Sequence, residues 1–174
     1  FPARAPGARA LKQVVVTADD FGLAREVNEA VEAAHRGGVL TAASLMVGAP
    51  AAEDAIARAR RLPRLRVGLH LVLVEGRPVL PLQRLPDLVD ASGQFRSDMV
   101  RLGFDIFARP AVRRQVAAEI EAQFEAYRAT GLVLDHVNAH KHFHLHPTIA
   151  ASVIAIGARY GLRGLRVPIE PAGV

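Results

Sequence analysis

The residues Gly131-Leu132-Val133-Leu134 lead directly into Asp135-His136-Val137-Asn138-Ala139-His140-Lys141-His142-Phe143-His144-Leu145-His146-Pro147 (131–147). Five of the seven histidines of the chain lie in the second part of this stretch. The apolar run indicates a buried strand, which we expect over 133–137, and Pro147 is suited to open the helix that follows. The histidines therefore fall where a strand ends and a loop begins, the edge at which α/β proteins build their sites.

Further apolar runs alternate with helical patterns along the rest of the 174 residues. We expect strands over 12–17, 39–47 and 65–73, and a fifth strand that starts at 165. Helical periodicity predicts helices over 23–36, 51–62, 110–130 and 148–160. This alternation favours an α/β fold with a parallel sheet and outer helices, either an open sheet or a distorted or incomplete (β/α) barrel that resembles a TIM barrel.

The expected organisation is a disordered tail over 1–11 and a single (β/α) domain over 12–174. Residues 74–109 are rich in proline and too long for an ordinary βα connection, so we interpret them as an insertion with short helices near 85–89 and 97–107. Such an insertion can form a lid over the substrate or be merely decorative. Because the chain ends just after the fifth strand, we expect it to lack C-terminal strands of the barrel, which further sequence or a second subunit in a homodimer would supply.

Three predicted strand ends carry polar side chains: Asp19-Asp20, His70 and the region of His140. The carboxyl ends of parallel strands meet at one edge of a sheet, so we expect these groups to lie together. One carboxylate and two imidazoles suit Zn²⁺ or another divalent metal with open positions, and the second aspartate would remain free as a general base. In an extended segment the histidines at 140, 142, 144 and 146 would project to one side.

Other interpretations of the same residues stay open. Asp20 could cap the following helix, and a single histidine such as His70 among apolar residues is often a hydrogen-bonded core residue. The histidine run could also be an adventitious cluster on a surface loop.

Composition excludes several classes of site. Because the chain has no cysteine, disulfides and thiolate metal sites are excluded, which fits a cytoplasmic protein. The net charge of +5 comes from dispersed arginines without interleaved aromatic residues, so we expect no nucleic-acid partner.

Three motifs resemble the YdjC-like carbohydrate deacetylases, a family that includes chitooligosaccharide deacetylase. They are Thr17-Ala18-Asp19-Asp20-Phe21-Gly22, Gly68-Leu69-His70-Leu71, and His136–His144 followed by Pro147. The sequence as a whole is similar to the subgroup associated with hopanoid biosynthesis, which acts on an N-acetylglucosaminyl hopanoid. The resemblance implies a distorted (β/α) barrel, a divalent metal (Mg²⁺ or Zn²⁺), and removal of acetyl from an N-acetylated sugar in an oligosaccharide or a glycolipid.

The resemblance also implies roles for individual residues. Asp20, His70 and His140 match metal ligands, and Asp19 matches the catalytic base. His142 or His144 would assist as acid or substrate contact. The remaining expected substrate contacts are His136, Asn138 and Phe21. Family members often have aspartate where this chain has Asn138.

Two other functions compete with the deacetylase. A non-catalytic module that binds a metal or a sugar would have no need of a free base such as Asp19. A metal-dependent phosphoesterase would normally use more carboxylates or two metals. A lipid-linked substrate would suit the basic, partly apolar surface and would entail peripheral contact with a membrane.

Overall fold

The computed structural model of the chain describes residues 14–168. The tail expected over 1–11 lies outside that range. Four parallel strands form one open sheet in the order β1-β2-β3-β4, which is also their order along the chain. They are β1 (Thr17–Phe21), β2 (Ala42–Leu45), β3 (Arg66–Leu71) and β4 (Val137–Ala139). Consecutive parallel strands joined by helices are the arrangement of a (β/α) barrel, here present as an open, incomplete one.

Five α-helices connect and cover the strands within the described range. They are α1 (Arg25–Gly37), α2 (Ala52–Arg60), α3 (Met99–Ala108), α4 (Pro110–Ala129) and α5 (Pro147–Gly157). Helix α1 packs on α2, and α4 packs on α3, α5 and β3. The Tyr127 hydroxyl of α4 donates to the carbonyl of Val67 at 2.8 Å, which fixes this helix against β3. None of the helices in this part of the chain is long and apolar enough to cross a lipid bilayer.

Two predicted strands are displaced toward the C-terminus. The strand expected over 12–17 begins only at Thr17, where pairing with Ala42 starts, and Val14 and Val15 are exposed. The strand expected over 133–137 begins at Val137, and Val133 is 87% exposed. Apolar runs indicated these strands, but the pairing partners decide where each strand starts. As a result, Asp19 and Asp20 lie inside β1 rather than after it.

The segment 74–109 contains α3, close to the helix expected over 97–107. The short helix expected near 85–89 is displaced to a single 3₁₀ turn over Leu82–Arg84, and Val89 instead forms an isolated antiparallel bridge with Phe95. The buried carboxylate of Glu119 in α4 accepts hydrogen bonds from the backbone amides of Val79 and Leu80. Helix α4 therefore anchors the start of this segment, and its role as a lid remains a prediction.

The fifth strand is present as a single parallel bridge between Leu165 and Val137. Two further backbone bonds flank the bridge, from Val137 to the carbonyl of Gly164 and from Arg166 to the carbonyl of Val137. This pairing brings Arg166 to the edge of the sheet next to β4.

Candidate metal centre

A β-bulge in β1 turns two adjacent carboxylates toward one site. Ala18 pairs with Ala43 and Phe21 with Leu45, so β1 uses one residue more than β2 over this interval. Asp20 takes up the extra residue with a φ of 57°. Successive side chains of a regular strand point to opposite faces, and a bulge interrupts that alternation. The strained backbone of Asp20 therefore allows both aspartates to contribute to the same site.

The turn after β1 is held by a buried asparagine. Asn28 of α1 accepts a hydrogen bond from the amide of Gly22 at 2.7 Å and donates to the carbonyl of Ala51 and to Asp54. The N-cap of α1 is Ala24, without a side-chain bond, so Asp20 is not the cap of this helix. Asp20 is thereby left available to the site.

Asp20, His70 and His140 converge. Asp20 Oδ1 lies 3.1 Å from His70 Nε2 and 3.1 Å from His140 Nδ1, and the two ring nitrogens are 3.4 Å apart. Ligands bound about 2.0–2.2 Å from a tetrahedral Zn²⁺ ion lie roughly 3.3–3.6 Å from one another, within a few tenths of an ångström of these distances. The three atoms thus have the spacing of one face of a metal coordination shell. Hydrogen bonding with His70 lowers the pKa of Asp20 against the opposing effect of burial, and the charges of both histidines lower it further.

The orientation of His70 follows from its neighbours. Asp19 accepts a hydrogen bond from Asn138 Nδ2 at 2.9 Å, which turns the amide oxygen of Asn138 toward His70 Nδ1 at 2.8 Å. His70 Nδ1 must then carry a hydrogen, and Nε2 faces Asp20 and His140. A histidine that donates from one nitrogen to a fixed acceptor and presents the other to the site is the usual arrangement of a metal ligand. Aspartate at position 138 could not donate to Asp19.

Asp19 has a different environment from Asp20. Arg166 donates to both of its carboxylate oxygens, Nη1 to Oδ2 at 2.6 Å and Nη2 to Oδ1 at 2.7 Å. Oδ1 also accepts from Ser44 Oγ and from Asn138, whereas Oδ2 has Arg166 as its donor. Burial raises the pKa of Asp19, but the bonds and charge of Arg166 outweigh it and hold the pKa at about 2. Asp19 is therefore ionised, and its Oδ2 atom accepts fewer hydrogen bonds than Oδ1.

The histidines after His140 do not project to one side. Residues 140–145 form 3₁₀ turns with left-handed backbone at Lys141 and His142, so the extended segment that we expected is wrong. His144 is buried and donates from Nε2 to the carbonyl of Arg166, and His146 Nε2 bonds to the carbonyl of Gly103. His142 remains exposed. The sequence pattern did not predict a left-handed turn at two successive non-glycine residues.

The expected substrate contacts are largely enclosed. Phe21 and Asn138 are fully buried, and His136 has only 16% of its side chain exposed and bonds to Ser44 and Asp135. Packing and hydrogen bonding occupy these side chains in the described chain, and their contact with the substrate stays a prediction.

Sequence reasoning missed two residues of the site, Arg166 and Ser44. Arg166 was one of many dispersed arginines, and Ser44 lies inside an apolar run. The pairing of Leu165 with β4 brings Arg166 to Asp19, and the pairing of β2 with β1 brings Ser44 to it.

The chain is similar to proteins of one known family. Residues 13–173 match the family model described as YdjC-like protein. Carbohydrate deacetylase of Brevibacillus brevis is 39% identical over 158 residues, which cover 91% of this chain and 58% of that protein. Carbohydrate deacetylase of Vibrio cholerae is 33% identical over 162 residues, which cover 93% of this chain and 60% of that protein.

A crystal structure from Enterococcus faecalis, described provisionally as a cellobiose-phosphate cleavage protein, superposes with a TM-score of 0.74 at 28% identity. The superposition covers 86% of this chain and 57% of the other. The chain thus spans about three-fifths of the length of the curated relatives that it matches. Because the family match extends over nearly the whole chain, this protein belongs to the YdjC-like family.

Proposed function

We propose that the protein is a metal-dependent hydrolase that removes acetyl from an N-acetylated sugar. The observation that carries the proposal is the pairing of a three-ligand metal centre with a separate ionised carboxylate, Asp19, in the same site. A protein that only stores a metal has no need of such a base. The carbohydrate deacetylases among its relatives support the choice of an amide substrate.

Asp20, His70 and His140 would hold the metal, which we take to be Zn²⁺ or Mg²⁺. When bound there, a divalent cation would lower the pKa of water and polarise the acetyl carbonyl. Two imidazoles and one carboxylate favour Zn²⁺ over Mg²⁺, because Mg²⁺ prefers a shell of oxygens.

Asp19 would act as the general base through Oδ2. Arg166, Asn138 and Ser44 orient its carboxylate, and because they favour the charged form, they keep it ready to accept a proton. The low pKa makes it a weak base, so the water that it deprotonates must itself be acidified, which is the contribution of the cation.

His142 is the better candidate for the acid that protonates the leaving amine. Burial lowers the pKa of His144, and its Nε2 is occupied by the carbonyl of Arg166. His142 lies on the exposed side of the same turn. We assign His144 instead to holding the backbone of Arg166, and through it the position of the guanidinium at Asp19.

A cavity at the carboxyl edge of the sheet, the edge that also carries the metal centre, offers space for the sugar, although none of the three candidate ligands lines it. It has a volume of about 210 Å³ and lies at the edge of the sheet where β1, β2 and β3 end. Leu23, Met46 and Val72 form apolar walls, and Glu75 and Gln94 add hydrogen-bonding groups. Apolar walls with a few polar groups are the usual composition of a small-ligand site.

Acetate release from N-acetylglucosamine oligosaccharides tests the function, with the chain loaded with Zn²⁺ or Mg²⁺. We expect release that Asp19→Asn reduces by about 10²–10⁴-fold, the range for loss of a general base. A glycolipid that carries N-acetylglucosamine distinguishes the substrate classes in a parallel assay. Release of phosphate from sugar phosphates without any acetate release would contradict the proposal.

A further inference from the structure

Strained backbone is concentrated at the carboxyl edge of the sheet. Within residues 14–168, the non-glycine residues with a left-handed backbone are Asp20, Glu75, Lys141 and His142. Asp20 lies near the end of β1, Glu75 in the turn after β3, and the other two directly after β4. Such conformations are costly for residues other than glycine and cluster at functional sites. Asp20 belongs to the metal centre and the last two to the turn of His140, so Glu75 is the strained residue whose role is still to be assigned.

Glu75 forms an ion pair with Lys141 across 66 residues of sequence. Lys141 Nζ donates to Glu75 Oε1, and this bond joins the turn after β3 to the turn that carries His140. The Glu75 side chain is 38% exposed and the Lys141 side chain 43%. Ion pairs this exposed contribute little to stability, because solvent screens them and ordering two long side chains costs entropy. Stability therefore does not account for two strained residues that meet in an exposed ion pair.

Glu75 also lines the cavity to which we assign the sugar. The exposed polar side chains of that cavity are Glu75, Arg77 and Gln94. A further polar residue of the lining, Gln123, is buried, and both of its amide hydrogens are used within the protein. Among the exposed three, Glu75 is the one bonded to the residue next to His140. Glu75 therefore connects the sugar cavity to the segment that carries a candidate metal ligand.

The ion pair keeps hydrogen-bonding capacity for a ligand. A carboxylate has about four lone-pair sites, and an ammonium group has about three hydrogens to donate. The bond between the two side chains uses one hydrogen of Lys141 and one site on Glu75 Oε1, and in the part of the chain that the structure describes Glu75 Oε2 accepts no other bond. An acceptor and donors therefore remain side by side at the cavity. Two neighbouring sugar hydroxyls, one donating and one accepting, complement this arrangement.

The rest of the cavity suits the ring of such a sugar. Leu23, Met46 and Val72 give apolar walls, and a pyranose ring presents C–H groups on its faces and hydroxyls around its rim. In an N-acetylhexosamine with acetamido at C2, the ring hydroxyls nearest to the amide, outside the glycosidic bond, are those on C3 and C4. A sugar whose acetamido group lies at the metal centre therefore has this pair of hydroxyls close to the reacting group.

We propose that Glu75 and Lys141 select the substrate by binding the C3 and C4 hydroxyls of the N-acetylated sugar. The inference rests on the proposed function. Glu75 Oε2 accepts the hydrogen of one hydroxyl, and Lys141 Nζ donates to the oxygen of the other. The site therefore takes N-acetylated sugars in which both hydroxyls are free, and it rejects sugars that are acylated or alkylated there. Because Lys141 follows His140 in the chain, the same contact positions the sugar relative to the metal centre.

Acetate release from 3-deoxy and 4-deoxy analogues of an N-acetylglucosamine conjugate tests the assignment. In the Zn²⁺-loaded wild type, removal of either hydroxyl should reduce kcat/KM on the order of 10-fold, the effect of one hydrogen bond to a charged group. In Glu75→Ala the parent sugar should already show this loss, and removal of one of the two hydroxyls should then change kcat/KM by no more than about 2-fold. Lys141→Met should behave in the same way toward the other hydroxyl. Glu121→Ala, which breaks an exposed ion pair with Arg159, is the matched control and should keep the wild-type pattern.

A merely structural role for Glu75 would give equal losses for the deoxy analogues in the wild type and in Glu75→Ala, and this result would overturn the assignment. Glu75→Gly is the second variant, because glycine adopts the left-handed backbone of this turn without strain, and it should lose the same dependence on the hydroxyl. Wild-type kinetics in both variants would likewise overturn it.

A second measurement does not depend on turnover. NMR titration of Zn²⁺-loaded Asp19→Asn with the same sugars should show weaker binding of the deoxy analogues, and adding Glu75→Gly should remove the difference for one of them. If the wild type releases no acetate but this preference is present, the proposed function fails and the hydroxyl contact stands. Acetate release without the preference, or no binding of any of these sugars, would overturn the contact.

Discussion

The guanidinium of Arg166 spans both carboxylate oxygens of Asp19, at 2.6 and 2.7 Å. This pair gives a physical reason for the different roles that the family resemblance implies for these two neighbouring aspartates. Asp19 is held by a fixed cation, and Asp20 faces two imidazoles that a metal would share. The backbone carbonyl of Arg166 accepts a hydrogen bond from buried His144. This bond limits the movement of the guanidinium away from Asp19.

Replacing Arg166 with methionine should weaken the acid dependence of the stability of the metal-free protein. The pKa of Asp19 in the folded protein, about 2, lies below the ordinary value of 3.8, so its stabilising effect is present above pH 3.8 and is lost as pH falls toward 2. Arg166→Met should remove most of that dependence and lower the free energy of unfolding at pH 7 by about 1 kcal/mol, since the pair is partly exposed. Urea unfolding at several pH values measures both. If Arg166→Met and the wild type lose the same amount of stability between about pH 4 and pH 2, the ion pair between Arg166 and Asp19 would be contradicted.

Asn138→Asp should destabilise the metal-free chain. The substitution replaces a donor to Asp19 with a second carboxylate at about the same distance, at a cost of about 1–3 kcal/mol. In the Asp19→Asn background the cost should largely disappear, because an amide at position 19 can donate to the new carboxylate. A double-mutant cycle of unfolding free energies measures the coupling. Additive effects of the two substitutions would contradict the link between these residues.

Gly68→Ala should cost about 1–3 kcal/mol of stability, because its new methyl group meets the ring and the carbonyl of His136. Gly37→Ala is the matched control, since a Cβ there meets nothing within 4 Å, and it should be neutral or slightly stabilising. Thermal unfolding of the two variants compares them directly. Equal midpoints would mean that the ring of His136 does not lie over Gly68.

The contribution of Glu119 to stability should fall as pH rises above about 4.5. Burial raises the pKa of Glu119 above its ordinary value of 4.5, although hydrogen bonds from Val79, Gln123 and Leu80 act to lower it. The unfolded chain therefore releases this proton first, and the stabilising effect present below 4.5 is lost as pH rises toward the folded pKa. In Glu119→Gln this change of stability with pH should be absent, although the variant loses one hydrogen bond from a backbone amide. Identical pH dependence of unfolding in both proteins would contradict the raised pKa.

The sequence was informative about fold class because the alternation of apolar runs with amphipathic helices is a local property. It also predicted that Asp20, His70 and His140 lie together, because parallel strands present their carboxyl ends at one edge of the sheet. Strand boundaries were less accurate: Val133 belongs to an apolar run but lies outside the pairing region.

The surroundings of the metal centre could not be predicted in this way. Arg166 reaches Asp19 across 147 residues of sequence, and Asn138 reaches it across 119. Such contacts depend on register between distant strands, which no local pattern encodes. The bulge at Asp20 and the left-handed turn at Lys141 likewise depend on tertiary contacts rather than on the preferences of these residues.

The central claim is that Asp20, His70 and His140 bind one divalent metal while Asp19, next in sequence to Asp20, does not. Metal content by mass spectrometry after loading with Zn²⁺ and dialysis tests it most directly. We expect about one Zn²⁺ per chain in the wild type and in Asp19→Asn, and strong depletion in Asp20→Asn and His140→Ala. Equal metal loss in Asp19→Asn and Asp20→Asn, or a wild type without bound metal, would contradict the division of roles between the two aspartates.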